Sequence, residues 1–168
     1  RRQRQMCIRD SNDPDLIRQI GVATAAEVGA TGIDWTFAPT VAQAKDYRWG
    51  RTYESYSEDP TLVREYAAAM VEGIESQGIA ATAKHFIGDG GTARGTDQGE
   101  TNMPLDQLLD EHGSGFLGTF EADVDTVMAT FNSWNGAKVH GSQTLLEGVL
   151  RDQMAFRGMV ISDWNGIG

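Results

Sequence analysis

The sequence is poor in cysteine and histidine, the residues that most often hold transition metals. It contains one cysteine, Cys7, and three histidines among 168 residues. A single cysteine excludes an internal disulfide and a metal site built from several cysteines. The histidines are scattered along the chain, so they supply no adequate ligand set for zinc or iron. We therefore expect no metal and no organic cofactor.

Long apolar runs and excess positive charge are also missing. No stretch approaches the roughly 20 consecutive apolar residues that a membrane-spanning helix needs. The formal net charge is -10, so the chain should repel nucleic acids and anionic membrane surfaces. We expect neither a nucleic-acid partner nor a membrane span, and a neutral substrate fits this charge better.

Amphipathic helical segments alternate with short apolar runs, which is typical of α/β chains with parallel strands. Two helices are predicted to begin at Asp13-Pro14 and Asp59-Pro60, where an N-cap precedes a proline at the first helical position. A third helix lies near 105–120, where Gly113 and Gly115 weaken the pattern, and a fourth begins near Ser142. The predicted strands are residues 33–38, 79–86, 126–131 and 159–162.

Four βα units are compatible with a doubly wound sheet or with part of a (β/α)8 barrel. A complete barrel takes about 250 residues. Because this chain has 168 residues, its length favours the α/β fold in which about four units form part of a TIM-like barrel truncated at both ends.

Polar and ionisable residues gather just beyond the end of each predicted strand, in residues 45–59, 84–92, 131–136 and 162–166. Barrels and open α/β sheets build their active sites at this carboxyl edge. Indole and phenol rings stack on the apolar faces of a pyranose, while Arg, Lys, His and Asp side chains bind its hydroxyls. The residue types at these loops therefore favour sugar chemistry.

Asp163 follows the apolar run 159–161 after a single serine, so a strand would present it at this mouth. A carboxylate there can attack an anomeric carbon, but the same position suits one that caps a following helix. Lys84 and His85 are neighbours in a predicted strand, and their side chains should leave on opposite faces unless the chain bends. His112 and His140 are interpreted as ordinary surface or loop histidines.

Nucleotide binding is disfavoured by two loops. Residues 88–91 (GDGG) match neither the P-loop nor the dinucleotide pattern, and no Lys-Ser or Lys-Thr pair closes them. Residues 39–42 (PTVA), at the first strand-to-helix junction, are not a glycine-rich turn. A nucleotide-binding α/β module is therefore the weaker interpretation.

Three motifs occur in order and resemble glycoside hydrolase family 3. They are residues 48–51 (RWGR) with 53–59 (YESYSED), residues 84–92 (KHFIGDGGT) and residues 160–164 (VISDW). The similarity is greatest to the β-glucosidases and β-glucan exohydrolases of that family and runs from residue 14 to the end. The resemblance implies that 14–168 are part of the N-terminal barrel domain, with 1–13 a non-matching segment.

The resemblance also implies residue roles. Asp163 corresponds to the catalytic nucleophile, whereas the general acid/base glutamate belongs to a second domain that this chain does not include. Asp97 and Gln98 lie in a loop that often supplies a carboxylate supporting the histidine. The implied substrate-binding residues are Arg51, Lys84, His85, Met128, Phe131 and Trp164.

The implied activity is retaining hydrolysis of terminal β-D-glucosyl residues from β-glucosides or β-glucans through a glycosyl-aspartate intermediate. The implied partners are that oligosaccharide substrate and the second domain, and the family's location is periplasmic or secreted. A non-catalytic carbohydrate-binding remnant is the first alternative. The second is a β-N-acetylhexosaminidase, but that branch typically carries a Pro-Gly-His-Gly run where residues 87–90 here read IGDG.

Overall fold

The computed structural model describes residues 10–167, so most of the predicted non-matching segment 1–13 and Cys7 lie outside the described residues. Helices α1 (Pro14–Ala30) and α2 (Pro60–Glu75) begin at the predicted residues. The Asp13 carboxylate accepts a hydrogen bond from the Leu16 amide at 3.0 Å, and that of Asp59 accepts one from the Thr61 amide at 2.8 Å. Both predicted N-caps are thus confirmed.

Two glycines allow α1 and α2 to pack closely. A Cβ atom at Gly73 would lie 2.2 Å from the Arg18 carbonyl oxygen, and one at Gly21 would lie 2.8 Å from that of Met70. Both distances are shorter than van der Waals contact. The close spacing of the two helices therefore depends on the absence of a Cβ atom at Gly21 and Gly73.

The strands of the described residues form two sheets. In chain order they are β1 (Thr82–Phe86), β2 (Glu100–Thr101), β3 (Thr126–Ala129), β4 (Ser133–Trp134), β5 (Ala137–Lys138) and β6 (Met159–Ile161). The main sheet has the order β1-β3-β6 with every pair parallel, as predicted. A small sheet, β2-β4-β5, which the sequence did not indicate, is formed by the loops after β1 and β3.

The predicted strand 33–38 is not a regular strand. Two isolated parallel bridges join this part of the chain to its neighbour. Trp35 pairs with Ala80, which precedes β1, and Thr40 pairs with Lys84 in β1. The Thr82 amide still donates to the Ala38 carbonyl at 2.8 Å. Pro39 has no N–H to give to a ladder, which accounts for the interruption. The segment nevertheless runs beside β1 and occupies the place of a fourth parallel strand.

The third helical segment is one continuous path with a widened middle. Helix α3 (Leu105–Leu108) passes through a π-helical turn (Leu109–Gly113) into α4 (Ser114–Glu121). Gly115 and Gly118 do not break it. A Cβ at Gly118 would lie 2.2 Å from the Arg64 carbonyl oxygen, so this glycine permits close packing on α2. The fourth helical segment, Thr144–Gln153, is π-helical.

Strands β1 and β3 of the main sheet are mostly buried, whereas Met159 at the start of β6 is exposed. Val127 in β3 and Ala83 in β1 are fully buried, and Phe86 packs edge-on against Phe116 of α4 with ring centroids 5.1 Å apart. None of the helices formed by residues 10–167 combines the length and apolarity needed to cross a membrane. The carboxyl ends of the parallel strands meet at one edge, which positions the site.

Replacing Gly73 by alanine should destabilise the chain by about 1–3 kcal/mol, because the new methyl group would meet backbone atoms of α1. Gly148→Ala is the matched control, since a Cβ there meets nothing within 4 Å. The measurement is the free energy of unfolding in urea. Equal stability of the two variants would contradict the close approach of α1 and α2.

Candidate active site

Side chains from three strand ends meet at the carboxyl edge of the main sheet. The loop after the extended segment 33–41 provides Arg51 and Glu54, β1 provides Lys84 and His85, and the turn after β6 provides Asp163. Arg51 Nη1 lies 3.4 Å from His85 Nε2, and Asp163 Oδ2 lies 3.7 Å from the same nitrogen. The structure thus brings four of the residues implied by the sequence into one cluster.

Lys84 and His85 both reach this cluster, although consecutive residues in a regular strand point to opposite faces. The register between β1 and β3 shifts between Lys84 and Phe86, which interrupts the alternation. The Lys84–His85 and Phe86–Ile87 peptide bonds are cis. The register shift makes the strand irregular at Lys84 and His85, as both side chains require in order to reach one cluster.

His85 is held by Asp89, a residue to which the sequence analysis gave no role. His85 Nδ1 and Asp89 Oδ2 are 2.6 Å apart, and the two side chains are only 4% and 6% exposed. Because a carboxylate accepts, Nδ1–H donates and Nε2 is left facing Arg51 and Asp163. The Asp89 carboxylate therefore fixes both the tautomer and the orientation of the ring.

This contact corrects the expectation that Asp97 or Gln98 supports the histidine. Asp97 instead accepts a hydrogen bond from the Trp49 indole at 3.2 Å, and Gln98 is exposed with φ +58°. The signal for Asp89 was the GDGG run at 88–91. Gly90 has φ +80°, and a Cβ there would lie 2.4 Å from the Gln43 carbonyl oxygen. The glycines therefore let the loop return its aspartate under the histidine.

Arg51 and Glu54 form a bidentate pair that the sequence did not indicate. Arg51 Nε and Nη2 donate to the two carboxylate oxygens at 2.8 and 2.7 Å, and the Thr40 hydroxyl adds a bond to Oε2 at 3.1 Å. The bonds to Glu54 raise the pKa of Arg51. Burial opposes ionisation of Glu54, but its contacts with Arg51 and Thr40 lower its pKa overall. The pair keeps the guanidinium in place beside His85.

Lys84 is half-buried, and this burial lowers its pKa, with the nearby charge of Arg51 acting in the same direction. The charges of Glu54, Asp163 and Asp89 act against that lowering. The lysine therefore lies within electrostatic reach of all three carboxylates.

Asp163 lies in a turn. Its Oδ1 accepts from the Trp164 amide at 2.6 Å, and its carbonyl accepts from the Gly166 amide at 3.0 Å. Residues 163–167 form no helix in the described part of the chain, so the capping interpretation gains no support there. The second carboxylate oxygen, Oδ2, faces His85 and the cationic side chains.

The other three residues implied to bind sugar, Trp164, Phe131 and Met128, differ in how far they are exposed. Trp164 is 87% exposed beside Asp163, which leaves its indole open for stacking. Phe131 is half-buried, with its ring 5.6 Å from that of His140. Met128 is 4% exposed and pairs with Lys84 and Ile161 inside the sheet. Direct sugar contact by Met128 stays a prediction.

His112 and His140 were predicted to be ordinary surface or loop residues, and this prediction is wrong for His112. It is 3% exposed in the π-helical turn, and burial lowers its pKa to about 4. A Cβ at Gly91 would lie 2.3 Å from its Nε2, so the ring packs directly under the loop that carries Asp89. His140 lies in a short 3₁₀ turn (Val139–Gly141) and is half-buried beside Asp163. Within residues 10–167, no cluster of three or more His, Cys, Asp or Glu side chains could hold a metal ion.

Replacing Asp89 by asparagine should cost about 1–2 kcal/mol of stability, because the buried hydrogen bond to His85 keeps an acceptor but loses its charge assistance. Asp97→Asn is the control, since its carboxylate belongs to an exposed residue and meets the Trp49 indole. Its cost should stay within about 0.5 kcal/mol. Denaturant unfolding of both variants decides the point, and a larger loss for the Asp97 variant would assign support of the site to the other loop.

Comparison with known proteins agrees with the fold. The sequence model of the glycosyl hydrolase family 3 N-terminal domain matches residues 4–168. A β-glucosidase of Rhizobium radiobacter is 37% identical over 92% of this chain and 19% of its own length, and a β-xylosidase of Formosa agariphila is 35% identical over 93% and 23%. The chain spans about a fifth of the length of these curated relatives.

Solved structures give the same result. An exo-1,3/1,4-β-glucanase from a Pseudoalteromonas species superposes with a TM-score of 0.91 and 54% identity, covering 92% of this chain and 21% of that one. The β-glucosidase of Listeria innocua in complex with isofagomine gives a TM-score of 0.93 and 31% identity, covering 97% and 24%. The predicted fold, part of a (β/α)8 barrel, is confirmed. The chain therefore belongs to glycosyl hydrolase family 3, within the N-terminal domain of that family.

Proposed function

We propose that this chain is the nucleophile-bearing part of a retaining β-glucosidase that removes terminal β-D-glucosyl residues from β-glucosides or β-glucans. The observation that carries the proposal is the position of the Asp163 carboxylate. Its Oδ2 faces the mouth 3.7 Å from His85 Nε2, in a cluster that also contains Arg51 and Lys84. A carboxylate at a sugar-binding mouth is the group that attacks an anomeric carbon.

The proposed reaction is a double displacement. Asp163 Oδ2 forms a bond to the anomeric carbon while the glycosidic C–O bond breaks, and the leaving oxygen takes a proton from a carboxylic acid. Water then attacks the anomeric carbon of the glycosyl-aspartate ester and gives its proton to the acid/base group, which lost its own proton to the leaving oxygen. The bond to Asp163 breaks, and β-glucose leaves with retained configuration. That acid is a glutamic acid from a second domain of a longer protein.

The cationic and hydrogen-bonding residues would hold the sugar against Asp163. Arg51, Lys84 and the Nε2 atom of His85 face one small volume, and each can bond a hydroxyl of the terminal glucosyl unit. Their arrangement is fixed before a substrate binds, because Glu54 holds Arg51 and Asp89 holds His85. Such preorganised contacts lower the cost of orienting the reacting atoms.

Aromatic residues would bind the apolar faces of the sugar. Trp164 is exposed immediately beside the nucleophile and can stack on a pyranose ring. Phe131, half-buried just after β3, would contribute the aromatic side of the mouth. These positions suit a neutral carbohydrate, as the acidic charge of the chain also does.

A xyloside is the second candidate substrate, because one of the two curated relatives described above is a β-xylosidase. A xylosyl unit lacks the hydroxymethyl group of glucose, so the two substrates present different apolar and polar contacts to the same mouth. Hydrolysis of matched nitrophenyl β-glucoside and β-xyloside by the full-length protein separates the two. A higher kcat/KM for the xyloside would overturn the glucosyl assignment but leave the nucleophile unchanged.

Asp163→Asn in the full-length protein should lower kcat by several orders of magnitude while sugar binding is retained, because the amide keeps the shape but loses the attacking charge. Asp34→Asn is the control. Asp34 is an exposed acid near Ala80, at the opposite end of the main sheet. Turnover of a nitrophenyl glycoside and glucose binding by calorimetry are the two measurements.

Unchanged turnover of the Asp163 variant would refute the assignment. If the unmodified protein binds glucose without hydrolysing any glycoside, it is a carbohydrate-binding remnant. If it hydrolyses only N-acetylhexosaminides, the second branch of the family applies. The last two results each name a different function for the same mouth.

A further inference from the structure

His140 lies directly behind the turn that carries Asp163, although it follows β5 and is 23 residues away in sequence. The Asp163 amide donates to His140 Nε2 at 3.3 Å, and the Ser162 hydroxyl is 3.1 Å from the same nitrogen. The Ser162 hydroxyl lies 2.7 Å from the Asp163 carbonyl oxygen as well, and its one proton goes either to that oxygen or to Nε2. One imidazole nitrogen therefore meets the backbone and the side chain of consecutive residues at the turn.

The ring itself is held from two sides. Phe131, just after β3, packs against it with ring centroids 5.6 Å apart. On the other side, a Cβ at Gly166 would lie 2.5 Å from His140 Nε2, so the ring fills the space that the glycine leaves open. The imidazole thus fits between the end of β3 and the turn after β6.

The direction of the hydrogen bond decides the state of the ring. A backbone N–H only donates, so Nε2 must accept and Nδ1 must carry the proton. His140 is therefore placed to act as an acceptor for the nucleophile's own amide. It touches neither the carboxylate of Asp163 nor the side chains of Arg51, Lys84 and His85 in any contact described above.

We propose that His140 is a positioning residue for the nucleophile: it holds the Asp163 backbone and thereby sets the distance of Oδ2 from the anomeric carbon. The inference rests on the proposed function, in which Asp163 is the attacking group. A displacement of reacting groups by about 1 Å can cost about 100-fold in rate. A single acceptor at this amide is therefore enough to influence turnover.

The test uses substitutions that separate the acceptor from the bulk of the ring. In His140→Gln the side-chain oxygen can reach the place of Nε2, whereas in His140→Asn the amide reaches only that of Nδ1. His140→Leu keeps apolar contact with Phe131 but offers no acceptor. Gly166→Ala is an independent variant, because its methyl group would push the imidazole away from the turn.

Two measurements are made on each variant of the full-length protein. The first is hydrogen exchange at the Asp163 amide, which reports the hydrogen bond without reference to activity. The second is kcat and KM for a nitrophenyl β-glucoside. The Leu, Asn and Gly166→Ala variants should show faster exchange at Asp163 and a kcat lowered by about 10- to 100-fold, with KM little changed. His140→Gln should recover both exchange protection and kcat.

Equal losses of exchange protection and kcat in the Gln and Leu variants would overturn the inference. The Gln side chain offers an acceptor at the place of Nε2 and the Leu side chain does not, so equal losses would mean that the acceptor has no effect. Unchanged exchange at the Asp163 amide in His140→Leu would overturn it as well. If the unmodified protein has no glycosidase activity, the proposed function fails, and amide exchange alone then decides whether His140 holds the turn. The two failures are therefore distinguishable.

Discussion

In an unbroken strand, Lys84 and His85 would project from opposite faces of the main sheet, and only one of them could reach the carboxyl edge. The register shift in β1 removes this restriction and brings both side chains to one mouth. The rest of the site depends on that bend. The chain turns back after His85, which brings the Asp89 carboxylate to the Nδ1 atom of that ring. Asp163 approaches the other ring nitrogen, Nε2, from the turn after β6.

The mouth gathers charges of both signs in a partly buried place. Arg51 and Lys84 are cationic, while Glu54, Asp89 and Asp163 are acidic. Each acid has a different task set by its neighbours. Glu54 is neutralised by a bidentate arginine, and Asp89 is buried against a histidine. Asp163 binds the Trp164 amide through Oδ1 and turns Oδ2 towards His85 Nε2, where a substrate would lie in the proposed reaction.

The parts of the fold predicted from sequence were those governed by local physics. Asp13 and Asp59 were recognised as N-caps because each precedes a proline that suits the first helical turn. The apolar runs became parallel strands because short apolar runs between helical segments are typical of the strands of βα units. The run 33–38 failed as a regular strand because Pro39 interrupts the ladder, which an apolar pattern does not reveal.

The site was predicted less completely than the fold. Arg51, Lys84, His85 and Asp163 were found from motifs, but the partners that hold them were not. Asp89 and Glu54 act through contacts whose geometry depends on loop paths, and charge patterns carry no information about those paths. The surroundings of His112 and His140 were missed for the same reason, since one is buried in a π-helical turn and the other is brought to Asp163 by the segment that follows β5.

Covalent labelling of the full-length protein with a 2-deoxy-2-fluoro-β-glucoside that carries a good leaving group tests the central claim most directly. The fluorine slows both formation and breakdown of the glycosyl-enzyme, and the activated leaving group restores only its formation, so the intermediate accumulates. Peptide mass spectrometry should then find one glycosyl unit on Asp163, which would establish the nucleophile and the retaining mechanism together. A glycosyl unit on any other residue, or turnover of β-glucosides without a trapped intermediate, would contradict the account.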